Sequence, residues 1–207
     1  MSGIQQMLLG GGGFAQVVQT YTTPGTQTVS IPDGASFVTV ECIGAGANGS
    51  HTADPTVNGG GAGAYSKRNS YSLSGLTGIY ISVPTGQGGD AFAKENSSGG
   101  TTICLAAGKS TANSSGALST SCTGDLKYSG GDGDGSGGTG AIAGGGAGGP
   151  NGAGTAASVN TPGVGGGGAA GNGGNGSQDG FVYGGGGGCT NVTDKLGAQG
   201  WLRLTFT

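Results

Sequence analysis

Apolar and polar residues alternate with a period of two in several segments of the chain. One such run covers residues 26–32, and the alternation resumes at residues 37–43 after a turn that contains Pro and Gly. Two alternating runs around such a turn indicate a β-hairpin. In the second run Val38, Val40 and Cys42 share one face of the predicted strand.

Further alternating or apolar runs predict strands at residues 64–73, 78–83, 101–106 and 200–207. The last run has the strongest pattern, and a C-terminal strand this apolar needs partners. We therefore expect it to return and pair with the opening strands. No segment carries an apolar stripe with the 3.6-residue period of a helix, so the sequence predicts an all-β domain.

Glycine occupies 55 of the 207 positions, and it is concentrated between residues 130 and 188. Such a segment can be a flexible linker. However, Gly165, Gly168, Gly171 and Gly174 are spaced three apart, and residues 140–152 repeat this spacing with one alanine. Three residues per turn is the period of the extended polyproline-II helix, so several such segments can bond laterally as a polyglycine-II bundle. This alternative predicts an ordered glycine-rich insert at residues 129–188.

The N-terminal region differs from the rest of the chain. Ile4, Met7, Leu8 and Leu9 form a short apolar stretch that four glycines follow. We predict an arm over residues 1–25 that either packs back on the domain at residues 26–207 or anchors the chain to a neighbouring protein. The stretch lacks the positive charge and the length of a signal peptide, and the chain has no apolar run long enough to span a membrane.

Charge and cysteine spacing exclude several kinds of site. Seven Lys and Arg against ten Asp and Glu give a net charge of −3, which argues against nucleic acid as a partner. Four widely spaced cysteines without a Cys-x-x-Cys pair do not suggest zinc. They can form two disulfides in any of three pairings or remain free thiols; they are Cys42, Cys104, Cys122 and Cys189.

Two motifs resemble catalytic or cofactor sites. Residues 44–49 read G-x-G-x-x-G after a predicted strand, but no helix follows to bind a dinucleotide. His51 and Asp54 are the one candidate acid–base pair, and no nucleophile accompanies them. We therefore expect no enzymatic activity, no cofactor and no metal site.

The order of parts resembles the glycine-rich β-sandwich domain of bacteriophage tail-fibre and tail-tip proteins. The matching segments are "TVSIPDGASFVTVECIGAGANG", "GGGAGAYSKRNSYSLSGLTGIYISVPTGQGG", "TTICLAAG", the glycine tract and the closing "GAQGWLRLTFT". This resemblance implies a jelly-roll-like β-sandwich frame with polyglycine-II insertions. It also implies a virion protein, made in the host cytoplasm, that binds other virion proteins through its N-terminal arm and assembles in several copies.

Phage proteins of this kind include receptor-binding adhesins, so the resemblance implies contact with the host surface. Tyr128, Phe181 and Tyr183 are aromatic residues isolated among glycines. We predict that they contact a receptor, with the alternative that they fill the ends of the bundle. Two other functions remain open: a head-decoration, collar or minor tail protein without receptor contact, and a surface- or ice-binding protein.

Overall fold

The structure, a computed structural model, describes residues 4–6, 14–52, 56–109, 115–135 and 140–207. Within these ranges the chain forms β-strands and one short 3-10 turn (Ser119–Ser121) but no α-helix. The strands are β1 (Ile4–Gln6), β2 (Val17–Tyr21), β3 (Gly25–Val29), β4 (Phe37–Ile43), β5 (Ser50–Thr52), β6 (Thr56–Asn58), β7 (Tyr65–Ser72), β8 (Ile79–Val83), β9 (Ala91–Glu95), β10 (Thr102–Ala106), β11 (Leu126–Tyr128), β12 (Cys189–Thr190), β13 (Thr193–Asp194) and β14 (Trp201–Phe206).

Two antiparallel sheets pack face to face. One has the strand order β1-β2-β14-β4-β7-β11, and the other has the order β10-β9-β8-β3. Inward-facing residues from both sheets form one apolar core, which includes Val40, Ile81, Ile103, Leu204 and Phe206. The prediction of an all-β sandwich is therefore confirmed.

The closing strand lies inside the larger sheet, and of the two opening strands predicted as its partners it pairs with the second, β4. β14 pairs with β2 on one side and with β4 on the other. Leu204 lies opposite Val40 of β4 and Gln19 of β2, and its side chain is fully buried. The C-terminal residues thus complete the sandwich core.

The predicted hairpin between residues 26–32 and 37–43 is wrong. β3 pairs with β8 in the four-stranded sheet, whereas β4 pairs with β14 and β7 in the six-stranded sheet. The connection between β3 and β4 therefore crosses from one sheet to the other. Both strands still bury their apolar side chains in the same core, which lies between the two sheets. An alternating pattern fixes the buried face of a strand but not its partner.

Four neighbouring strands of the larger sheet, β14, β4, β7 and β11, continue directly into glycine-rich segments. These segments pack together beyond one end of the sandwich. We call them the glycine bundle, and they comprise residues 44–49, 59–64, 129–135, 140–149, 152–157, 162–174, 179–188 and 195–200. The bundle is thus an extension of the sheet and includes segments well outside the predicted insert at residues 129–188.

Backbone hydrogen bonds of the bundle repeat every third residue. The N–H groups of residues 144–149 donate in turn to segments 171–174, 60–63 and 152–155, over N···O distances of 2.8–3.1 Å. Each neighbouring segment therefore receives a bond from every third residue, as the threefold geometry of polyglycine II requires. In the described residues, the glycine-rich segments form a bundle in which lateral hydrogen bonds satisfy backbone N–H and C=O groups.

Turns interrupt both of the glycine runs that suggested this geometry. In the first run, Gly167 and Gly168 have positive φ angles, and the N–H of Ala170 donates to the carbonyl of Gly167. In the second, Gly149 and Gly152 donate to one another's carbonyl groups across a tight turn. The three-residue spacing thus identified the conformation but not the length of the individual segments.

The bundle has two distinct ends. Its segments join the sandwich at one end, and short hairpins and turns connect them at the other. We call this second end the distal end; it comprises residues 50–52, 56–58, 158–161, 175–178 and 189–194. The C-terminal residue lies at the far side of the sandwich, where the carbonyl of Thr207 accepts from the N–H groups of Ser36 and Phe37. No helix in the described part of the chain has the length and apolar character to cross a bilayer.

Candidate functional site

The distal end displays apolar side chains on tight turns. Val159 lies in the turn that the Ser158–Thr161 bridge closes, and Val192 lies in the turn between β12 and β13. Their exposed fractions are 69% and 78%. The second turn is braced, because the N–H of Thr193 donates to the Thr190 hydroxyl oxygen over 3.1 Å. Exposed apolar side chains on a braced backbone are suited to contact with another surface.

Further exposed apolar side chains lie on neighbouring bundle segments. Phe181 is 52% exposed, and its N–H donates to the carbonyl of Asn172. The N–H of Gly180 donates to the carbonyl of Leu196, which is also exposed. Backbone hydrogen bonds to Leu196 and to Asn172 thus hold the segment of Phe181 between its neighbours, with Phe181 and Leu196 on adjacent segments. Of the three predicted receptor contacts, Phe181 is the exposed one.

Tyr128 and Tyr183 occupy a different position, where the bundle meets the sandwich. Both are half-buried and pack against a cluster that contains Ile43, Tyr65 and Trp201. The rings of Tyr128 and Tyr65 are stacked with centroids 6.4 Å apart. The structure therefore does not bring the three predicted contact residues together on one surface.

A buried carboxylate lies beside this aromatic cluster. Glu41 accepts a hydrogen bond from the Tyr65 hydroxyl at Oε1 over 2.7 Å, and Arg203 donates to its Oε2 through Nε and Nη2. The Arg203 guanidinium also lies over the Trp201 ring. Burial, and then the bond to Glu41, raise the pKa of Tyr65. These groups line a cavity of about 150 Å³ together with Pro150. Through these hydrogen bonds Glu41 links β4 to Tyr65 of β7 and Arg203 of β14.

A second polar cluster joins the two distal hairpins β5–β6 and β12–β13. His51 Nδ1 lies 2.7 Å from Asp194 Oδ1, and the His51 N–H donates to the same oxygen. The Cys189 thiol donates to that oxygen over 3.5 Å. Val57 and Ile142 pack with Cys189 on its apolar side. The ring nitrogen, the sulfur and the carboxylate oxygen all lie within 4.8 Å of one another.

The ionisation of this cluster follows from its contacts. Burial, together with the bond to Asp194, raises the pKa of Cys189 to about 12. Burial alone would raise the pKa of Asp194, but the bonds from His51 and Cys189 outweigh it and lower that pKa. The cysteine is therefore a neutral thiol at pH 7, which is the wrong state for a nucleophile.

Sequence reasoning did not find this cluster. It paired His51 with Asp54, which lies outside the described residues. The structure instead pairs His51 with Asp194, and 143 positions separate the two. No local spacing signals a contact over that separation; only the course of the glycine bundle brings the hairpins together.

All four cysteines are free and buried. Cys42 and Cys104 are neighbours in the sandwich core on opposite sheets, and the Cys104 thiol also donates to the Ser66 hydroxyl oxygen over 3.5 Å. Burial raises the pKa of Cys42 well above its ordinary value. Three of the thiols thus lie in or beside the sandwich, and Cys189 lies at the distal end.

The predicted anchoring residues lie at the N-terminal edge of the larger sheet or outside the described residues. Ile4 is the first residue of β1, and its backbone pairs opposite Gln19 of β2. Met7, Leu8 and Leu9 lie outside the described residues. β2 itself falls inside the predicted arm of residues 1–25, yet it is a paired strand of the sandwich.

Comparison with protein families identifies the family of this chain. No curated protein matches the chain significantly. The family model described as a glycine-rich domain matches residues 22–204, which span both the sandwich and the glycine bundle. The chain therefore belongs to this glycine-rich domain family.

Proposed function

We propose that the protein is a bacteriophage virion component that acts as a tail-fibre or tail-tip adhesin. One observation carries this proposal: a laterally bonded glycine bundle projects from the sandwich and presents short, braced turns at its distal end. Six residues of one segment, 144–149, extend about 19 Å at the ~3.1 Å rise of this conformation. The bundle therefore separates a recognition surface from the sandwich that would attach to the particle.

The distribution of exposed apolar residues supports the same arrangement, in which recognition takes place on the bundle and attachment on the sandwich. Val159 and Val192 lie on distal turns, and Phe181 and Leu196 lie on adjacent bundle segments. Apolar side chains that a rigid backbone holds in solvent lose little entropy when they bind. We propose that they contact a host surface receptor, and that the protein has no catalytic role in that step.

Binding to bacteria tests the proposal. The fluorescently labelled protein would be incubated with a panel of strains that includes the host of the phage or prophage encoding it. We expect binding to that host, and we expect the double variant Val192→Asn, Phe181→Ala to bind at least tenfold more weakly. Leu118→Asn is the matched control, because Leu118 is 60% exposed but lies beside β11 near the sandwich. Equal binding by all three proteins, or none to the host, would contradict the adhesin function.

A second candidate function is a structural virion protein without receptor contact. The pairing of β1 at the edge of the larger sheet favours it, since an edge strand can join a neighbouring subunit. Deletion of residues 1–13 is then expected to leave a folded domain that no longer enters particles, which immunoblots of purified particles would detect. Normal incorporation of the truncated protein would exclude anchoring through this segment.

A further inference from the structure

The two distal hairpins bring three metal-ligating side chains together. His51 belongs to β5, whereas Cys189 and Asp194 begin β12 and end β13. β5 pairs with β6 and β12 pairs with β13, so the three side chains come from two different hairpins. Cys189 and Asp194 face each other in the β12–β13 register. A histidine nitrogen, a cysteine sulfur and an aspartate oxygen are all ligand types that Zn²⁺ takes in proteins.

One of the three ligand-atom separations already matches a tetrahedral ion, and all three atoms lie within 4.8 Å of one another. With bonds of about 2.0–2.3 Å, ligand atoms around Zn²⁺ lie roughly 3.3–3.8 Å apart. The Cys189 sulfur is already 3.5 Å from Asp194 Oδ1. His51 Nδ1 is 2.7 Å from that oxygen and would need to move less than about 1 Å. Both the His51 and the Asp194 side chains are partly exposed, at 40% and 46%, so small rotations provide this movement.

The surroundings of the cluster provide both support and access. Val57 and Ile142 pack against Cys189 on the inner side and restrict its movement. The His51 N–H and the bonds within the β12–β13 turn hold Asp194 and its hairpin in place. On the outer side the exposed imidazole and carboxylate leave a path for the ion from solvent. Support for the ligands together with an entry path is what a metal site requires.

We propose that His51, Cys189 and Asp194 bind Zn²⁺, with water as the fourth ligand, and that the ion fastens the β5–β6 hairpin to the β12–β13 hairpin. The Cys189 thiol releases its proton to solvent as the sulfur binds the ion. The bundle has few large apolar side chains, and a metal ion would hold its distal end where burial contributes little. This inference does not rest on the adhesin function, because metal binding is measured on the isolated protein.

A cobalt titration of the full-length protein, made without a histidine tag, tests this site. The protein is stripped with chelator under reducing conditions, and Co²⁺ is added with absorbance recorded. We expect one equivalent to bind with the tetrahedral d–d bands and the sulfur-to-cobalt charge-transfer band, and one equivalent of Zn²⁺ to displace it. Mg²⁺ and Ca²⁺ should not compete, since they prefer oxygen ligands.

Two variants and one control identify the ligands. Cys189→Ser should abolish the charge-transfer band and weaken Zn²⁺ binding at least tenfold, and Cys122→Ser, which changes a buried cysteine elsewhere, should leave both unchanged. His51→Gln keeps the thiol, alters a partly exposed residue and should also weaken binding at least tenfold, so the test stands even if Cys189→Ser does not fold. Less than half an equivalent of Co²⁺ bound to the wild type, or unchanged binding by His51→Gln, would overturn the proposal.

Discussion

The sandwich and the glycine bundle contain the same kind of buried backbone but fill the space between segments differently. In the sandwich, side chains such as Phe206, Leu204 and Ile81 fill the space between the sheets. In the bundle, neighbouring backbones take that space: a β-carbon added at Gly145 would overlap the carbonyl oxygen of Gly131. Removing atoms should therefore destabilise the sandwich, whereas adding atoms should destabilise the bundle.

The two regions also differ in what offsets the entropy of ordering. The sandwich buries large apolar side chains, which is the dominant favourable contribution in most folds. The bundle orders many glycines, each of which loses more backbone entropy than any other residue. Its segments 44–49, 59–64, 129–135 and 195–200 are therefore held at their ends by β4, β7, β11 and β14. We infer that the sandwich acts as the frame on which the bundle depends.

The largest effect is expected from truncating the sandwich core. Phe206→Ala removes a fully buried ring between the sheets and should lower the free energy of unfolding by about 3–5 kcal/mol. Because β14 leads directly out of the bundle, bundle amides should lose protection from hydrogen exchange as well. Phe37→Ala is the control, since Phe37 is 45% exposed, and its cost should stay below about 1 kcal/mol. Urea unfolding would measure the free energy of unfolding of both variants. Similar losses of stability in the two would contradict this prediction.

The next largest effect is expected from a single methyl group added inside the bundle. Gly145→Ala places its β-carbon against backbone that cannot move independently, and it should cost about 3 kcal/mol. The matched control is Gly140→Ala, where an added β-carbon meets no atom within 4 Å and the cost should stay within about 0.5 kcal/mol.

Hydrogen exchange measures where the Gly145→Ala substitution disturbs the bundle. Amides of residues 144–149 should be protected in the wild type and in Gly140→Ala, and they should exchange faster in Gly145→Ala. Rapid exchange of these amides in the wild-type protein would mean that the glycine-rich region is a loose tether, and the contrast between the two regions would fail.

A smaller effect is expected where the two regions meet. Glu41→Gln keeps the shape of the side chain but removes the charge that Arg203 pairs with, and it weakens the acceptor for Tyr65. Since Arg203 is 41% exposed and thus partly screened, the loss should be about 1–3 kcal/mol. Asp33→Asn, on an exposed turn, should change stability by less than about 0.5 kcal/mol. Thermal unfolding at neutral pH would compare the stability of Glu41→Gln and Asp33→Asn. Equal stability would show that the contact between sandwich and bundle does not depend on the charge of Glu41.

Several parts of the fold were predictable from local pattern. The alternation in residues 200–207 predicted a strand that pairs with the opening strands, and β14 lies between β2 and β4. Alternate burial of Ile79, Ile81 and Val83 likewise follows from the period of two in β8. Such features depend on residues close together in the sequence, which is why they could be recognised there.

Other parts were not predictable, because they depend on distant segments. Residues 44–49 resembled a nucleotide-binding loop, yet their N–H groups donate to segments as far away as Lys195 and Ala198. Glu41 alternates with Val40 and Cys42 and so lies on the other face of its strand, yet it too is buried, with Arg203 and Tyr65 as hydrogen-bonding partners. The contact of His51 with Asp194 likewise joins residues 143 positions apart, so no local pattern predicts it.

The strand-forming character of the frame and the three-residue period of the glycine segments are written in consecutive residues and can be read from them. The assignment of β3 and β4 to different sheets, the places where glycine segments turn, and the meeting of His51, Cys189 and Asp194 follow only from the folded chain. A backbone period specifies which groups point outward from a segment. Which partners those groups find depends on how the whole chain satisfies its buried hydrogen bonds and fills its core.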